Sequence, residues 1–577
     1  MGFAPEPQPV AATDDAASPT ALAKLEGAVT ELKALAVAPM LRRAIDALRG
    51  EDAKGGAEWA LKALRQDERS GMGWYVLAVA LEKAGDFTNS IKAYQSALAL
   101  LPEETDVAAD LGRLAFRMGM KDLAEQLFRR YLAAHPDAWS TTNNLASAVK
   151  DQGRTAEAID ILRAAIKANP TEPQLWNSIG TILSEQADFK NAVIFFEEAL
   201  RLDPSFAHAI YNRGNAKLES GDIAGALEDC EAAIAIAKAP DDRAMMRLAR
   251  STIKIGLGRI GEGWDDYEAR LDPQFANATM FVVQRPLWTP EADIAGKHLL
   301  VMGEQGLGDE VLFGNMLADV LAALGSQGRM TIALEPRLVP LFQRSFPDVE
   351  VAPHMTLRQH GRNFRVAPAL GDLDRFDLWV PLASLLRRFR RRLEDFPATP
   401  GFLKADPARV AHWRETLNAA PGGKKVGILW KSMKLDAARA RYYSPFQLWT
   451  PLLTTPGVAC VNIQYGDCAP EIEWARRDLG VDIWTPPGID LKQDLDDIAA
   501  LTSALDLTIG FANATSNISA ACGASTWIIS APGAWTRLGT DRMPWYPQTR
   551  VFTPQHLDRW DETMGGVAAA LADWAKS

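Results

Sequence analysis

Apolar and polar positions in the first half of the chain alternate with the spacing of a helix. Proline, which ends helices, interrupts this pattern at a fixed interval. Proline recurs every 34 residues, at Pro102, Pro136, Pro170 and Pro204. Small residues recur where two helices would approach closely, as at Ala97 and Ala199, and bulky residues recur where neighbouring pairs would meet. The pattern therefore predicts a stack of helical pairs.

A period of 34 residues is that of the tetratricopeptide repeat. We predict a repeat array over residues 20–283, with its clearest repeats over residues 71–238 and about five to seven helical pairs in all. Residues 1–19 are rich in proline and alanine and have no basic start and no apolar core. They predict a disordered tail and no signal peptide.

Asparagine is frequent on the first helices of these pairs, which line the concave groove of such an array. The candidates for binding an acceptor protein are Asn143, Asn144, Asn177, Asn212 and Asn215. An amide donates and accepts hydrogen bonds at once, so a row of amides suits the backbone of an extended partner. The alternative is that each is simply a solvated polar position.

After Pro286 the pattern changes to short apolar runs that alternate with amphipathic stretches, which is typical of strand–helix units and a parallel sheet. Predicted strands lie at residues 297–302, 331–334, 425–430, 458–464, 507–510 and 526–530, and residues 376–381 form a further segment between the second and third of them. The first is followed by a glycine loop, in which Gly306 and Gly308 favour tight turns and close backbone approach. A helix is predicted from Val311 to Leu324. We expect an α/β region built from two similar halves, residues 284–405 and residues 406–577.

Composition narrows the class of protein. The net charge of −11 disfavours nucleic acid as a partner, and no apolar run is long enough to predict insertion in a membrane. The four cysteines and seven histidines lack metal-ligand spacing. These features predict a cytoplasmic protein with no metal and no cofactor.

Six segments together resemble bacterial tetratricopeptide proteins that carry a C-terminal glycosyltransferase domain. They are Pro286–Trp288, Glu304–Asp309, Val426–Trp430, Asn462–Gln464, Asn513–Gly523 and Pro544–Pro547. The domain is similar to the lipopolysaccharide heptosyltransferases and more distantly to the O-GlcNAc transferase. The resemblance implies a GT-B fold, with the acceptor on the first half and a nucleotide sugar on the second. The segment after Phe511 looks most like the alphaproteobacterial flagellin glycosyltransferases, which implies a pseudaminic or related nonulosonic acid and flagellin as acceptor.

The resemblance also implies site residues. Asp309 matches the proposed base of the heptosyltransferases, Glu304 is the competing base, and Asp309 has the alternative role of a helix cap. Lys431 matches a basic position for the donor phosphate, with Ser432 and Lys434 beside it and Arg439 and Arg441 as weaker candidates. The other candidates for donor binding are Gln464, Asn513, Thr515, Ser516 and Asn517.

One departure from the family bears on the donor. Heptosyltransferases have Asp-Thr at Ala512 and Asn513 and His at Asn517, so this loop has lost its charges. A donor with one phosphate, such as a CMP-activated acidic sugar, needs fewer cations than a diphosphate donor. We therefore predict a metal-independent, inverting protein O-glycosyltransferase. A heptosyl- or GlcNAc-type transferase and a non-catalytic scaffold remain as alternatives.

Overall fold

The structure is a computed structural model that describes residues 19–359, 361–433, 437–557 and 559–577. The chain divides between Pro170 and Thr171 into two compact units, which are described separately. The predicted disordered tail lies outside the described residues except for Pro19, at which the first helix begins.

The first unit consists of helices in antiparallel pairs. They are α1 (Pro19–Arg49), α2 (Ala53–Gln66), α3 (Gly71–Lys83), α4 (Phe87–Leu100), α5 (Thr105–Arg117), α6 (Lys121–Ala134), α7 (Trp139–Asp151) and α8 (Thr155–Ala168). Small residues allow the pairs to close: a Cβ on Gly112 would lie 2.8 Å from the ring of Phe128. Helices α4, α6 and α8 each end shortly before a proline of the 34-residue period, as predicted.

The second unit begins with three more pairs. They are α9 (Pro173–Glu185), α10 (Phe189–Leu202), α11 (Ala207–Glu219), α12 (Ile223–Ile236), α13 (Pro240–Gly256) and α14 (Ile260–Tyr267). Gly180 repeats the role of Gly112, since a Cβ there would lie 2.6 Å from Phe196. A short 3-10 turn, Glu268–Leu271, follows α14 and leads into the sheets.

Twelve short strands in the described part of the second unit form three sheets. They are β1 (Thr279–Phe281), β2 (His298–Met302), β3 (Arg329–Leu334), β4 (Glu350–Pro353), β5 (Met355–Gln359), β6 (Arg362–Val366), β7 (Leu378–Pro381), β8 (Lys424–Leu429), β9 (Val458–Asn462), β10 (Leu507–Phe511), β11 (Thr526–Ile529) and β12 (Arg550–Phe552). The first parallel sheet has the order β4-β3-β2-β7 and the second β12-β11-β10-β8-β9. A small mixed sheet, β1-β6-β5, lies beside the first.

Helices connect the strands. They are α15 (Leu307–Phe313), α16 (Leu317–Leu324), α17 (Val339–Ser345), α18 (Leu386–Phe389), α19 (Pro407–Thr416), α20 (Ala437–Ala440), α21 (Thr450–Leu453), α22 (Ala469–Trp474), α23 (Leu495–Ala504), α24 (Ala514–Ala521) and α25 (Trp560–Lys576). All six predicted strands are present within a few residues of their expected bounds, and β7 forms in the segment at residues 376–381. The helix expected from Val311 begins four residues earlier, at Leu307. Its first turn is stabilised by Asp309, whose side chain accepts a hydrogen bond from the backbone N–H of Gly306, the residue before the helix.

One hydrophobic core joins the parts of the second unit. It contains Trp264 of α14, Val301 and Phe313 around the first sheet, and Ile518 and Trp545 around the second. Trp264 also donates from Nε1 to the Arg390 carbonyl at 2.8 Å. The last helical pair is therefore part of the α/β core rather than an appendage. Among the described residues, no helix has the length and apolar character needed to cross a membrane.

Candidate functional site

The two parallel sheets meet at the turns that follow their central strands. The glycine loop, residues 303–306, joins β2 to α15, and the turn Ala512–Asn513 joins β10 to α24. Asn517 Nδ2 donates to the Gly308 carbonyl at 3.1 Å, and a Cβ on Gly308 would lie 3.5 Å from Ala514. Ligands of parallel sheets bind at the carboxyl ends of the strands, so this contact marks the candidate site.

Asp309 lies in the first turn of α15. Its Oδ2 accepts a hydrogen bond from Gly306 N at 3.1 Å, so the carboxylate does cap the helix. The side chain is half-buried, and burial raises its pKa to about 6; the Gly306 N–H opposes this shift, and the charges of Glu304 and Glu310 add to it. A carboxylate with such a pKa is still ionised at neutral pH and is a stronger base than an exposed aspartate.

Glu304 is buried, and both of its carboxylate oxygens accept hydrogen bonds. Arg270, in the turn after α14, donates from Nε to Oε2 at 2.8 Å and from Nη2 to Oε1 at 2.7 Å. Ala383 N donates to Oε1 at 2.9 Å. Both oxygens are therefore held by a bidentate ion pair, and these contacts disfavour Glu304 as the base.

The glycines of the loop act differently from the prediction. The left-handed backbone conformation is found at Gln305, with φ of 60°, and at none of the loop glycines. Gly303 is required for space, since a Cβ there would lie 2.5 Å from Glu310 Oε1 and 2.9 Å from the Ala333 carbonyl. Gly306 and Gly308 thus do not use the left-handed region that glycine allows, whereas the close approach at Gly308 is present.

Lys431 directly follows the buried residue after β8, and its ammonium group forms an ion pair with Glu471 of α22. Gln464 lies after β9 and is buried. Its Oε1 accepts from Trp430 N at 3.0 Å and Lys431 N at 2.9 Å, and Nε2 donates to the Lys431 carbonyl at 3.1 Å. Gln464 therefore fixes the backbone that carries Lys431, and its amide is not available to a donor.

The other candidates for donor binding lie in or near the first turn of α24. Asn513 caps this helix, with Oδ1 accepting from Ser516 N at 3.1 Å. Ser516 is buried and its Oγ donates to the Phe511 carbonyl at 2.7 Å, and Thr515 is buried as well. Asn513 Nδ2 and Asn517 Oδ1 are buried and hydrogen-bond to no described group. These two atoms are thus buried polar groups of the turn that no described group satisfies.

Ser432 hydrogen-bonds the phenols of Tyr443 and Tyr465, which places it at the floor of the loop after β8. Arg441 points instead to the helical pairs, where its Nη1 donates to the Ser184 carbonyl at 3.0 Å. The candidate Lys434 lies outside the described residues.

The groove asparagines are found in both units. In the first unit, Asn143 and Asn144 lie half-buried on α7, and Asn143 Oδ1 makes no hydrogen bond to a described group. In the second unit, Asn212 Nδ2 donates to Asn177 Oδ1 at 3.0 Å. Asn212 and Asn215 line a cavity of about 330 Å³ together with Arg441.

Three partners of the site escaped sequence reasoning: Arg270, Arg365 and Glu471. Arg365 is buried in β6, and its Nη1 donates to the Gly303 carbonyl at 2.9 Å. Arg270 and Arg365 are distant from the loop in sequence and have no motif of their own, so only the fold reveals them. In the described part of the chain, no group of three or more His, Cys, Asp and Glu side chains is placed to hold a metal ion.

Comparison with known proteins identifies both the repeats and a close relative. Models of the tetratricopeptide repeat match residues 41–105, 109–173 and 173–206. Among solved structures, a tetratricopeptide repeat protein from Parabacteroides merdae matches 40% of this chain and 91% of its own, at 14% identity and a TM-score of 0.36. MamA from Desulfovibrio magneticus matches 30% of this chain and 96% of its own, at 18% identity and a TM-score of 0.28.

The similarity to one curated protein extends over both units. Protein FlbA of Caulobacter vibrioides is 49% identical over 566 residues, which is 98% of this chain and 95% of the relative. At this identity and coverage, the chain belongs to the family of Protein FlbA.

Proposed function

We propose that the chain is a protein O-glycosyltransferase of the GT-B type. It moves a sugar from a nucleotide donor, CMP-pseudaminic acid or a similar nonulosonic acid, to Ser or Thr of a protein held by the repeats, with flagellin as the acceptor. The supporting observation is the contact of Asn517 with Gly308, which brings the turns after the central strands of two parallel sheets together beside Asp309. The sugar, the acceptor and the GT-B type follow from the family resemblance.

In this proposal Asp309 takes the proton of the acceptor hydroxyl while the hydroxyl oxygen attacks the anomeric carbon. The bond from that carbon to the nucleotide phosphate breaks, and the nucleotide leaves with the electron pair. The raised pKa of Asp309 suits proton abstraction near neutral pH. Lys431 balances the phosphate charge, and to do so its ammonium must exchange Glu471 for the phosphate.

The test uses cells and purified protein. A strain that lacks the chain receives either the wild type or the Asp309→Asn variant, and the intact mass of flagellin is measured. We expect the mass of the sugar to return with the wild type and not with the variant. Full glycosylation by the variant would contradict the assignment of the base, and unchanged flagellin mass with the wild type would contradict the acceptor.

A non-catalytic scaffold is the second candidate. It is favoured by the engagement of Glu304, Gln464 and Lys431 with other groups of the protein. The two candidates differ in nucleotide binding, because a scaffold has no need of it. Calorimetric titration of the full chain with CMP separates them: binding that weakens in the Lys431→Met variant supports the transferase, and no binding to the wild type supports the scaffold.

A further inference from the structure

The small sheet beside the glycine loop has two chemically different faces. In the paired register, Leu357 of β5 lies opposite Phe364 of β6, which lies opposite Met280 of β1. Met355 lies opposite Val366 in the next row, and Val282 extends β1 beside it, with its N–H donating to the Arg365 carbonyl at 3.0 Å. Since paired residues point to the same side of a sheet, these six apolar side chains form one face, which we call the outer face.

The outer face is open to solvent. Val282, Met355 and Leu357 are 49%, 51% and 49% exposed. On the opposite face, Phe281 packs on Trp379 with ring centroids 5.4 Å apart and Arg365 is buried, whereas Thr356 and Arg358 at the β5 edge are exposed. A solvated sheet face is normally polar, and a contiguous exposed apolar patch marks an interaction site.

The strands of the small sheet carry charge of one sign. Residues 279–287 and 355–367 contain four arginines and no Asp or Glu, although the whole chain carries a net charge of −11. Arg285 pairs with Asp374 and Arg365 with Glu310. Arg362 donates from Nη1 to the Pro273 carbonyl at 2.6 Å, whereas Arg358, exposed on the opposite face at the hairpin end, forms no ion pair with a described carboxylate. The β5 edge of the small sheet therefore carries an exposed positive charge at Arg358, which complements an acidic partner.

Two contacts connect the small sheet to the candidate site. Arg365 of β6 binds the Gly303 carbonyl, and His354, immediately before β5, lies with Nε2 2.7 Å from Oε1 of Glu310, the residue after Asp309. Strand β5 is also an edge strand, with all five residues exposed. An edge strand offers unpaired backbone groups to an extended segment.

We propose that the outer face and the edge of β5 bind an extended, acidic and apolar segment of the acceptor protein. The segment adds to β5, its apolar side chains cover Met355 and Leu357 on the outer face, and its carboxylates, which alternate with them to the opposite face, meet Arg358. That the segment belongs to the acceptor rests on the proposed function. The surface itself and its preference for acidic apolar polypeptide do not.

The first test needs no transferase activity. Two fluorescent peptides of ten residues, one alternating Leu with Glu and one alternating Leu with Lys, are titrated with the full chain and followed by anisotropy. We expect the acidic peptide to bind at least tenfold more tightly, and the Leu357→Asp and Arg358→Glu variants to lose at least tenfold in its affinity. The matched control is Ile194→Asp, since Ile194 is 56% exposed on α10, away from this sheet.

Equal binding of the two peptides, or unchanged affinity in both variants, would overturn the proposal. A wild-type chain that elutes as a dimer and becomes monomeric with Leu357→Asp would also overturn it, because a second copy would then be the occupant. The acceptor role is tested on whichever protein gains sugar mass in the strain experiment. There Leu357→Asp should raise KM for the intact acceptor at least tenfold with little change in kcat, and an unchanged KM would refute the acceptor role while leaving the proposed function intact.

Discussion

At the scale of single residues, Asp309 caps a helix and is the proposed base, and one substitution separates these two roles. Burial raises the pKa of Asp309 to about 6, so the folded protein binds a proton there more tightly than the unfolded chain. Stability from this group is therefore present at low pH and is lost as pH rises from about 4 to 6. Asp309→Asn removes the charge and keeps a side chain that caps helices, so we expect its melting temperature at pH 7 to exceed that of the wild type.

The same substitution should lower the transfer rate by about 10²–10⁴-fold, the range typical of a lost general base. In the wild type, kcat/KM should fall as pH drops below about 6, because the protonated carboxyl cannot accept a proton. Calorimetric melting and a pH profile check the two effects. A variant that is more stable and still active would leave Asp309 as a helix cap alone.

Glu304 provides the complementary case. Glu304→Gln leaves the buried guanidinium of Arg270 without its full counter-charge, and breaking a buried pair costs about 3–5 kcal/mol. We expect urea unfolding at a lower midpoint in Glu304→Gln. The pH profile of its remaining activity should keep the fall below pH 6, since Asp309 is intact. Loss of that pH dependence would instead identify Glu304 as the base.

At the scale of elements, α24 contacts the first turn of α15 through a hydrogen bond and through close packing at Gly308. Asn517→Ala removes the bond to the Gly308 carbonyl, whereas the contacts of the glycine loop with Arg270, Arg365 and Ala383 remain. A lost hydrogen bond of about 1.4 kcal/mol corresponds to a tenfold change. We expect kcat to fall about tenfold while the Kd for CMP stays constant. A weaker Kd with an unchanged kcat would make Asn517 a donor ligand, as the sequence alone predicts.

The elements differ in how well the sequence predicts them. The central parallel strands, such as β2 and β10, are continuous apolar runs because both of their faces are buried. The sequence therefore predicts where they lie. Strands β5 and β6 escaped prediction because arginines interrupt their apolar pattern. The start of α15 was misplaced since Gly308 lowers helix propensity, and contact with α24 overrides that preference.

The candidate site was predicted in its outline but not in its contacts. The glycine loop and the turn after β10 are local patterns, and the structure brings them together. The Gln464 side-chain amide could bind a ligand or could hydrogen-bond the backbone of Lys431. Which of the two occurs depends on how β8 and β9 are paired, and no local sequence pattern predicts that pairing. The same holds for Arg270, which reaches Glu304 across 34 residues of sequence.

At the scale of the whole molecule, the structure argues against the predicted boundary at residue 283 as a place to cut the chain. Trp264 is buried in the core of the α/β part, and Arg270 neutralises Glu304 there. A fragment of residues 284–577 loses both, and a buried tryptophan alone contributes about 3–5 kcal/mol. A fragment of residues 171–577 keeps them and corresponds to one compact unit.

We therefore expect residues 171–577 to be a soluble monomer with a cooperative thermal transition, and residues 284–577 to aggregate or to melt without one. Size-exclusion chromatography and calorimetry of the two fragments check this. The decisive comparison is a third fragment, residues 240–577, which restores α13 and α14 alone. Recovery of a cooperative transition in that fragment would assign the stabilisation to the last helical pair, whereas failure would show that the pairs from α9 to α12 are needed as well.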